Sequence, residues 1–164
     1  SIKNGVYGAV FLPSYVAEVG TILTQAAVLG LDLPFIGGDG WNGIETNYAA
    51  VAEGHYYSNH FFKNDQTTTV QDFVSNYTDT YGAAPNELAA LAYDAVYAMA
   101  EAMLNAGSLD SVDINAALSS LQLSTGATGS LQFDDNGDAI KGITFVQIVD
   151  GEQVVIEKIT TLQE

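Results

Sequence analysis

Apolar and polar residues alternate in three different rhythms along the chain. From Val6 to Ser14 the run VYGAVFLPS is almost continuously apolar, rich in β-branched and aromatic residues, and stopped by Pro13. That pattern predicts a buried strand. The following YVAEVGTILTQAAVLGL sets Val16, Val19, Leu23, Ala26 and Ala27 at three- and four-residue steps and reaches Gly30 near its end. This is the signature of an amphipathic helix with a glycine stop. LPFIGG then reads as a short second strand, so residues 6–38 make a strand, helix, strand unit. Its connection suits parallel pairing with a right-handed crossover.

Beyond it, ETNYAAVAEG predicts a short helix and HYYSNHFF, His55 to Phe62, a third strand. A helix opens at the polar cluster Asp65 to Thr69 and ends at Gly82. A longer one runs from about Asn86 to Asn105, with Leu88, Leu91, Ala92, Ala95, Val96, Met99 and Met103 at helical spacing and Gly107 as its stop. Met99 and Met103 are expected in its core face. SVDINAALSSLQ is a shorter helix, and STGATG a loop. The rhythm then changes to period two across SLQFDDNGDAIKGITFVQIVDGEQVVIEKIT, with turn signals at Asn136-Gly137 and Asp150-Gly151. Two terminal hairpins follow.

Composition narrows the function. A chain of 164 residues, 48% hydrophobic, can bury a core of ordinary domain size. Its formal net charge of -16 repels phosphate backbones and anionic lipid headgroups, which argues against nucleic acid and membrane surfaces as partners. With no cysteine there is no disulfide framework or thiolate chemistry. The first residues lack the charged-then-apolar pattern of a signal peptide, so an exported protein would be represented here by a mature portion or a fragment.

The stretch FIGGDGWNG, Phe35 to Gly43, follows the second strand, at the carboxyl edge where open parallel sheets place ligand crevices. Its pattern is neither GxGxxG nor GxxxxGK[ST], and Asp39 puts negative charge where a phosphate would lie. An exposed carboxylate there suits an ammonium group. From the turn alone, a cap for the next short helix is an equal reading of Asp39, and Trp41 either stacks on a ligand or closes the turn. Tyr15, at the end of the first strand, falls at the same edge, and Asn59 in the third strand is a further candidate for lining the cleft.

Other motifs carry little. His55 and His60 are five apart in one predicted strand and point to opposite faces, so no metal site is expected. DDNGD, Asp134 to Asp138, starts like a calcium loop but has Ala139 and Phe145 where that loop needs Gly and Glu; it reads as a hairpin turn. The glycosylation pattern at Asn76 falls inside a predicted helix. No GxSxG, HExxH or paired His/Ser/Asp spacing is present, so the chain is read as no enzyme and as needing no cofactor.

Three segments, AVFLPSYVAEVGTILTQAAVLGLDLPFIGGDGW, AALAYDAVYAMAEAMLNAG and GSLQFDDNGDAIKG, resemble the C-terminal half of the branched-chain amino acid binding proteins, the type I solute-binding receptors of ABC importers. The resemblance implies an α/β fold, a three-layer sandwich with a mostly parallel, flavodoxin-like sheet plus C-terminal hairpins. It implies an amino acid held between two lobes, with Tyr15 against the ligand and Asp39 on its α-ammonium; some relatives carry Glu at that position. The carboxylate-binding groups would belong to the other lobe. On the same grounds residues 1–60 and 125–164 belong to the second lobe, while residues 61–124 pack on a first lobe that the chain lacks. Self-association through those apolar helix faces is then expected. The implied setting is periplasmic or extracellular, with a lipoprotein anchor and an ABC permease as partner in the whole protein. The alternatives are a sensory ligand-binding domain of a signalling receptor and an enzyme on a flavodoxin-like sheet.

Overall fold

The computed structural model describes residues 5–160. In chain order it contains β1 (Val10–Phe11), α1 (Val16–Val28), β2 (Phe35–Gly37), α2 (Ile44–Asn47), α3 (Ala49–Ala52), β3 (Tyr56–Asn59), α4 (Thr68–Tyr81), α5 (Glu87–Ala106), α6 (Ser111–Ser119), β4 (Gln122–Gly126), β5 (Gly129–Phe133), β6 (Ala139–Lys141), β7 (Ile143–Val149) and β8 (Glu152–Ile159). Internal contacts divide the chain into two compact units. One holds the residues up to Asn59 together with Thr144–Lys158; the other holds His60–Ile143 and the described residues from Ile159 on.

The first unit is built on a five-stranded sheet ordered β1-β2-β3-β7-β8. Val10 pairs with Phe35 and Ile36 with Tyr56, both in parallel, so the predicted strand, helix, strand unit forms as expected. β3 then meets β7 antiparallel, Tyr57 opposite Val146. The apolar stripe of α1 explains why it packs here: Val19, Leu23 and Ala26 are buried with Phe35, Trp41, Ile44, Tyr57, Val146 and Ile148. Burying one such Leu stabilises by about 1.5–3 kcal/mol relative to leaving it in water. The first strand is shorter than its apolar run suggests. Only Val10 and Phe11 are paired, and Phe11 is exposed.

Both terminal hairpins form. β7 and β8 turn at Asp150-Gly151, where both residues have positive φ, 54° and 76°, the requirement of a tight hairpin turn. Glu53 holds that turn by accepting the N–H groups of Asp150 and Gly151 at 2.9 and 3.1 Å. In the second unit, β5 and β6 pair antiparallel across the DDNGD segment, with Gln132 opposite Ile140. Asp134 Oδ1 accepts the N–H groups of Asn136 and Asp138 at 2.9 and 2.8 Å. The bond from Asp138 above all holds the Asp134 carboxyl below its usual range. The carboxylate therefore organises its own turn.

The second unit departs from expectation in two places. The expected loop STGATG is shorter than predicted, a turn at Ala127–Thr128, because Gln122–Gly126 pairs with β5 and makes a three-stranded sheet β4-β5-β6. Its Ser, Thr and Gly residues carry a turn composition, yet Leu121 and Leu123 anchor the segment in an apolar cluster with Ala98 and Leu131. Met99 and Met103 are exposed, not core; the buried face of α5 is Glu87, Ala90, Asp94, Ala98 and Ala102. In this unit Phe61, Val70, Phe73, Ala90 and Ala127 form the other cluster. The three-stranded sheet lies in the same compact unit as the helices.

Candidate functional site

The parallel strands of the first unit end at one edge. β1 leads through Ser14 into Tyr15, which starts α1 in an extended conformation; its carbonyl accepts the N–H of Val19 at 2.9 Å while its ring is 76% exposed. β2 leads into the glycine turn. Asn59 ends β3 at the same edge, where it is buried.

The turn is fixed from beneath by its tryptophan. Trp41 is fully buried, its Nε1 donates to the carbonyl of Leu12 at 3.0 Å, and its ring lies 6.2 Å from that of Tyr57. A Cβ on Gly37 would stand 2.1 Å from the indole Nε1, so only glycine leaves the ring its place. The indole thus ties the end of β1 to the turn after β2. In this geometry it closes the turn from inside.

Gly40 makes the second close approach. A Cβ there would meet the Ser14 carbonyl oxygen at 2.7 Å and Tyr15 Cδ1 at 3.3 Å. The two turns are therefore in contact, which brings Asp39 to the segment that carries Tyr15. Ser14 was not singled out from sequence; its position one residue before Tyr15 at a strand end is the only signal that could have found it.

Asp39 opens a short 3-10 turn, Asp39–Trp41, and is exposed. Its Oδ1 accepts the N–H of the adjacent Gly40 at 3.1 Å. The next helix, α2, starts after Gly43 with no side-chain cap, so Asp39 does not cap it. Such a carboxylate, oriented by its neighbour and open to solvent, can accept charge-assisted hydrogen bonds from a cationic group. No Lys or Arg lies anywhere in Phe35–Gly43, and the four basic residues of the chain are all lysines.

The two histidines have separate settings. His55 is half-buried, its ring 5.1 Å from Phe35, and burial lowers its pKa. β3 stops at Asn59, so His60 lies outside the strand; its N–H donates to Glu87 Oε1 at 2.9 Å and its Nδ1 lies 3.3 Å from the Gly142 carbonyl.

The model of the periplasmic binding protein family matches residues 1–153. The chain belongs to that family. Among solved structures it is similar to the leucine binding protein LivK of Thermotoga maritima, with 29% identity and a TM-score of 0.83 over 93% of this chain and 45% of that one. It is likewise similar to the branched-chain amino acid transporter substrate binding protein LivJ of Streptococcus pneumoniae in complex with isoleucine, with 28% identity and a TM-score of 0.80 over 98% and 46%. A solute binding protein of an ABC transporter from R. palustris, in complex with benzoate, shares the fold at 15% identity, with a TM-score of 0.78 over 94% and 43%. These relatives are solute-binding proteins, and the α/β fold is that of the type I periplasmic binding proteins. The chain spans less than half the length of each. No curated protein matches it. Among the described residues no helix is long and apolar enough to cross a membrane.

Proposed function

We propose that the first unit supplies one wall of an amino-acid-binding cleft in a solute receptor of an ABC importer. The observation that carries this reading is the exposed Asp39 carboxylate, held in a glycine turn that touches the Ser14–Tyr15 segment and not used as a helix cap. Asp39 takes the α-ammonium of the ligand, and the exposed ring of Tyr15 covers its apolar side. Trp41 acts from below, by holding the turn, and Asn59 lines the base of the cleft.

The charge selects between the ligand classes seen among the relatives. An aromatic acid such as benzoate has no cation to offer Asp39, and its carboxylate would be repelled. A zwitterion with a small aliphatic side chain, a branched-chain amino acid above all, fits an acid beside an apolar wall. The carboxylate of that ligand is held by a first lobe outside residues 1–164, on which the helices α4–α6 pack. The receptor works in the periplasm or at the cell exterior, delivering its ligand to a permease.

The test is calorimetry on the whole receptor that contains this chain, titrated with leucine, isoleucine, valine and benzoate. Asp39→Asn keeps the shape and removes the charge. It should cost about 1.5–3 kcal/mol, the range for hydrogen bonds to charged groups. That is a loss of affinity of roughly ten- to hundredfold for every amino acid. Unchanged affinities would remove Asp39 from the site.

A further inference from the structure

The five-stranded sheet ends in β8, and the residues of that strand are ordered as if to meet themselves. One side of β8 bonds to β7; the other side carries no strand among the described residues. It is a long edge, eight residues against the two of β1 at the opposite end. Side chains alternate across a strand, so Glu152, Val154, Ile156 and Lys158 share one face. All four are exposed, Val154 by 42% and Ile156 by 52%. Val155, on the other face, packs against the core, and Gln153 donates to Glu45 Oε1 at 2.8 Å, so the facing of the strand is fixed.

We propose that this edge is an interface between two copies of the chain, which add their β8 strands antiparallel about a twofold axis at Val155. In that register Glu152 lies opposite Lys158 of the second copy, and Val154 opposite Ile156 of the second copy. The twofold axis repeats both pairs. An isologous contact requires such self-complementarity, and the stripe supplies it with an acid at one end, a base at the other and apolar residues between. Gln153 falls opposite Glu157 of the second copy, a neutral group beside the acid. Lys158 is one of only four basic residues in a chain of net charge -16, and it stands where the stripe needs a cation. Charges on an edge strand also guard it against foreign strands. Here the same charges repel most partners and match one.

The net charge of each copy opposes association at long range. Salt at about 0.15 M screens that repulsion beyond roughly 8 Å and leaves the contact pairs.

Sedimentation velocity of the 164-residue chain, from about 10 μM to about 1 mM in that salt, reads the association. The wild type should pass from monomer to dimer within the range. E152K and K158E each set like charges opposite one another twice, and each should weaken the dimer about tenfold or more. The double variant E152K/K158E should recover it, and so should an equimolar mixture of the two single variants, in which lysines again face glutamates. E157K, opposite Gln153, should change little. All these positions are exposed, so circular dichroism should show the wild-type fold throughout. A monomer at every concentration would mean that the charges only guard the edge, and the proposal falls. A dimer indifferent to both single reversals, or single variants that mix no more tightly than they self-associate, would move the contact to another surface, the exposed face of α5 being the rival, and would also overturn it.

Discussion

α1 and α5 carry apolar residues at the same helical spacing, yet they bury opposite kinds of side chain. α1 turns Val19, Leu23 and Ala26 into the core of the first unit. α5 turns inward three alanines, Ala90, Ala98 and Ala102, together with Glu87 and Asp94, and leaves Leu88, Val96 and Leu104 in solvent. The small residues let α6 and the β4–β5 strands approach closely, and the acids meet donors that wait for them. Asp94 Oδ1 accepts the N–H of Ala127 at 2.6 Å, and Oδ2 accepts the N–H and the hydroxyl of Thr128 at 2.8 and 2.5 Å. Thr128 Oγ1 in turn accepts from Lys141 Nζ. A stripe of large apolar residues therefore identifies a helix without saying which side faces the core. That is decided by what the rest of the fold presents.

The largest expected effect separates the two helices directly. Leu23→Ala should cost about 2–5 kcal/mol of stability, the range for emptying a packed leucine site. Leu104→Ala on α5, where the side chain is 81% exposed, should stay within about 0.5 kcal/mol. Urea unfolding measures both. A Leu104→Ala cost approaching that of Leu23→Ala would mean that the outer face of α5 is covered in solution.

Asp94→Asn comes next. The amide keeps one acceptor but sets an N–H₂ against donors and removes the charge that Lys141 faces through Thr128. A loss of about 1.5–3 kcal/mol is expected, the scale of a hydrogen bond to a charged group. Burial lowers the Lys141 pKa, while the charges of Asp94 and Glu87 act to raise it. Removing the Asp94 charge should therefore lower it further, a change that NMR titration of the Lys141 side chain reads. If stability and the Lys141 titration both stay as in the wild type, the network contributes nothing beyond shape.

The same contrast explains what could be read before the structure. The strand, helix, strand start and the two terminal hairpins were legible because local rules decide them: a period of 3.6 in α1, a period of two from Ser130 to Thr160, and Asp150-Gly151 at a tight turn. The glycine turn stood out as a candidate for the same reason, since its glycines and its acid stand together in the chain. What tertiary partners decide was not legible. β4 is a strand because Leu121 and Leu123 reach the cluster with Ala98 and Leu131, although its Ser124–Gly126 end reads as a loop. Val6 to Ser14 is apolar throughout, but only Val10 and Phe11 find a partner strand. Trp41 left two roles open from sequence, and its burial against Gly37 and Tyr57 supports the packing one. The inward Glu87 and Asp94 gave no sequence signal, because acids at helical spacing look like a solvated face until the donors of Ala127, Thr128 and His60 are in place.

The smallest effect concerns a half-buried polar group, in the unit to which α1 belongs. The His55 ring lies tilted beside that of Phe35, and its Nδ1 accepts the Phe35 N–H at 3.5 Å, an interaction that a proton on Nδ1 would abolish. Burial also disfavours the charged ring, so the pKa in the folded protein lies below the ordinary value of 6.5. The unfolded chain then takes up the proton first. His55 stability is fully present above about pH 6.5 and is lost as the pH falls from there through the lowered folded value. Trp41 is the only tryptophan and belongs to this unit, so its fluorescence follows the unfolding of this part of the molecule. The urea midpoint read by Trp41 should fall between about pH 7.5 and about pH 5.5, above the range where most carboxylates titrate. His55→Gln should flatten that slope. A slope that survives His55→Gln would assign the acid sensitivity to another group.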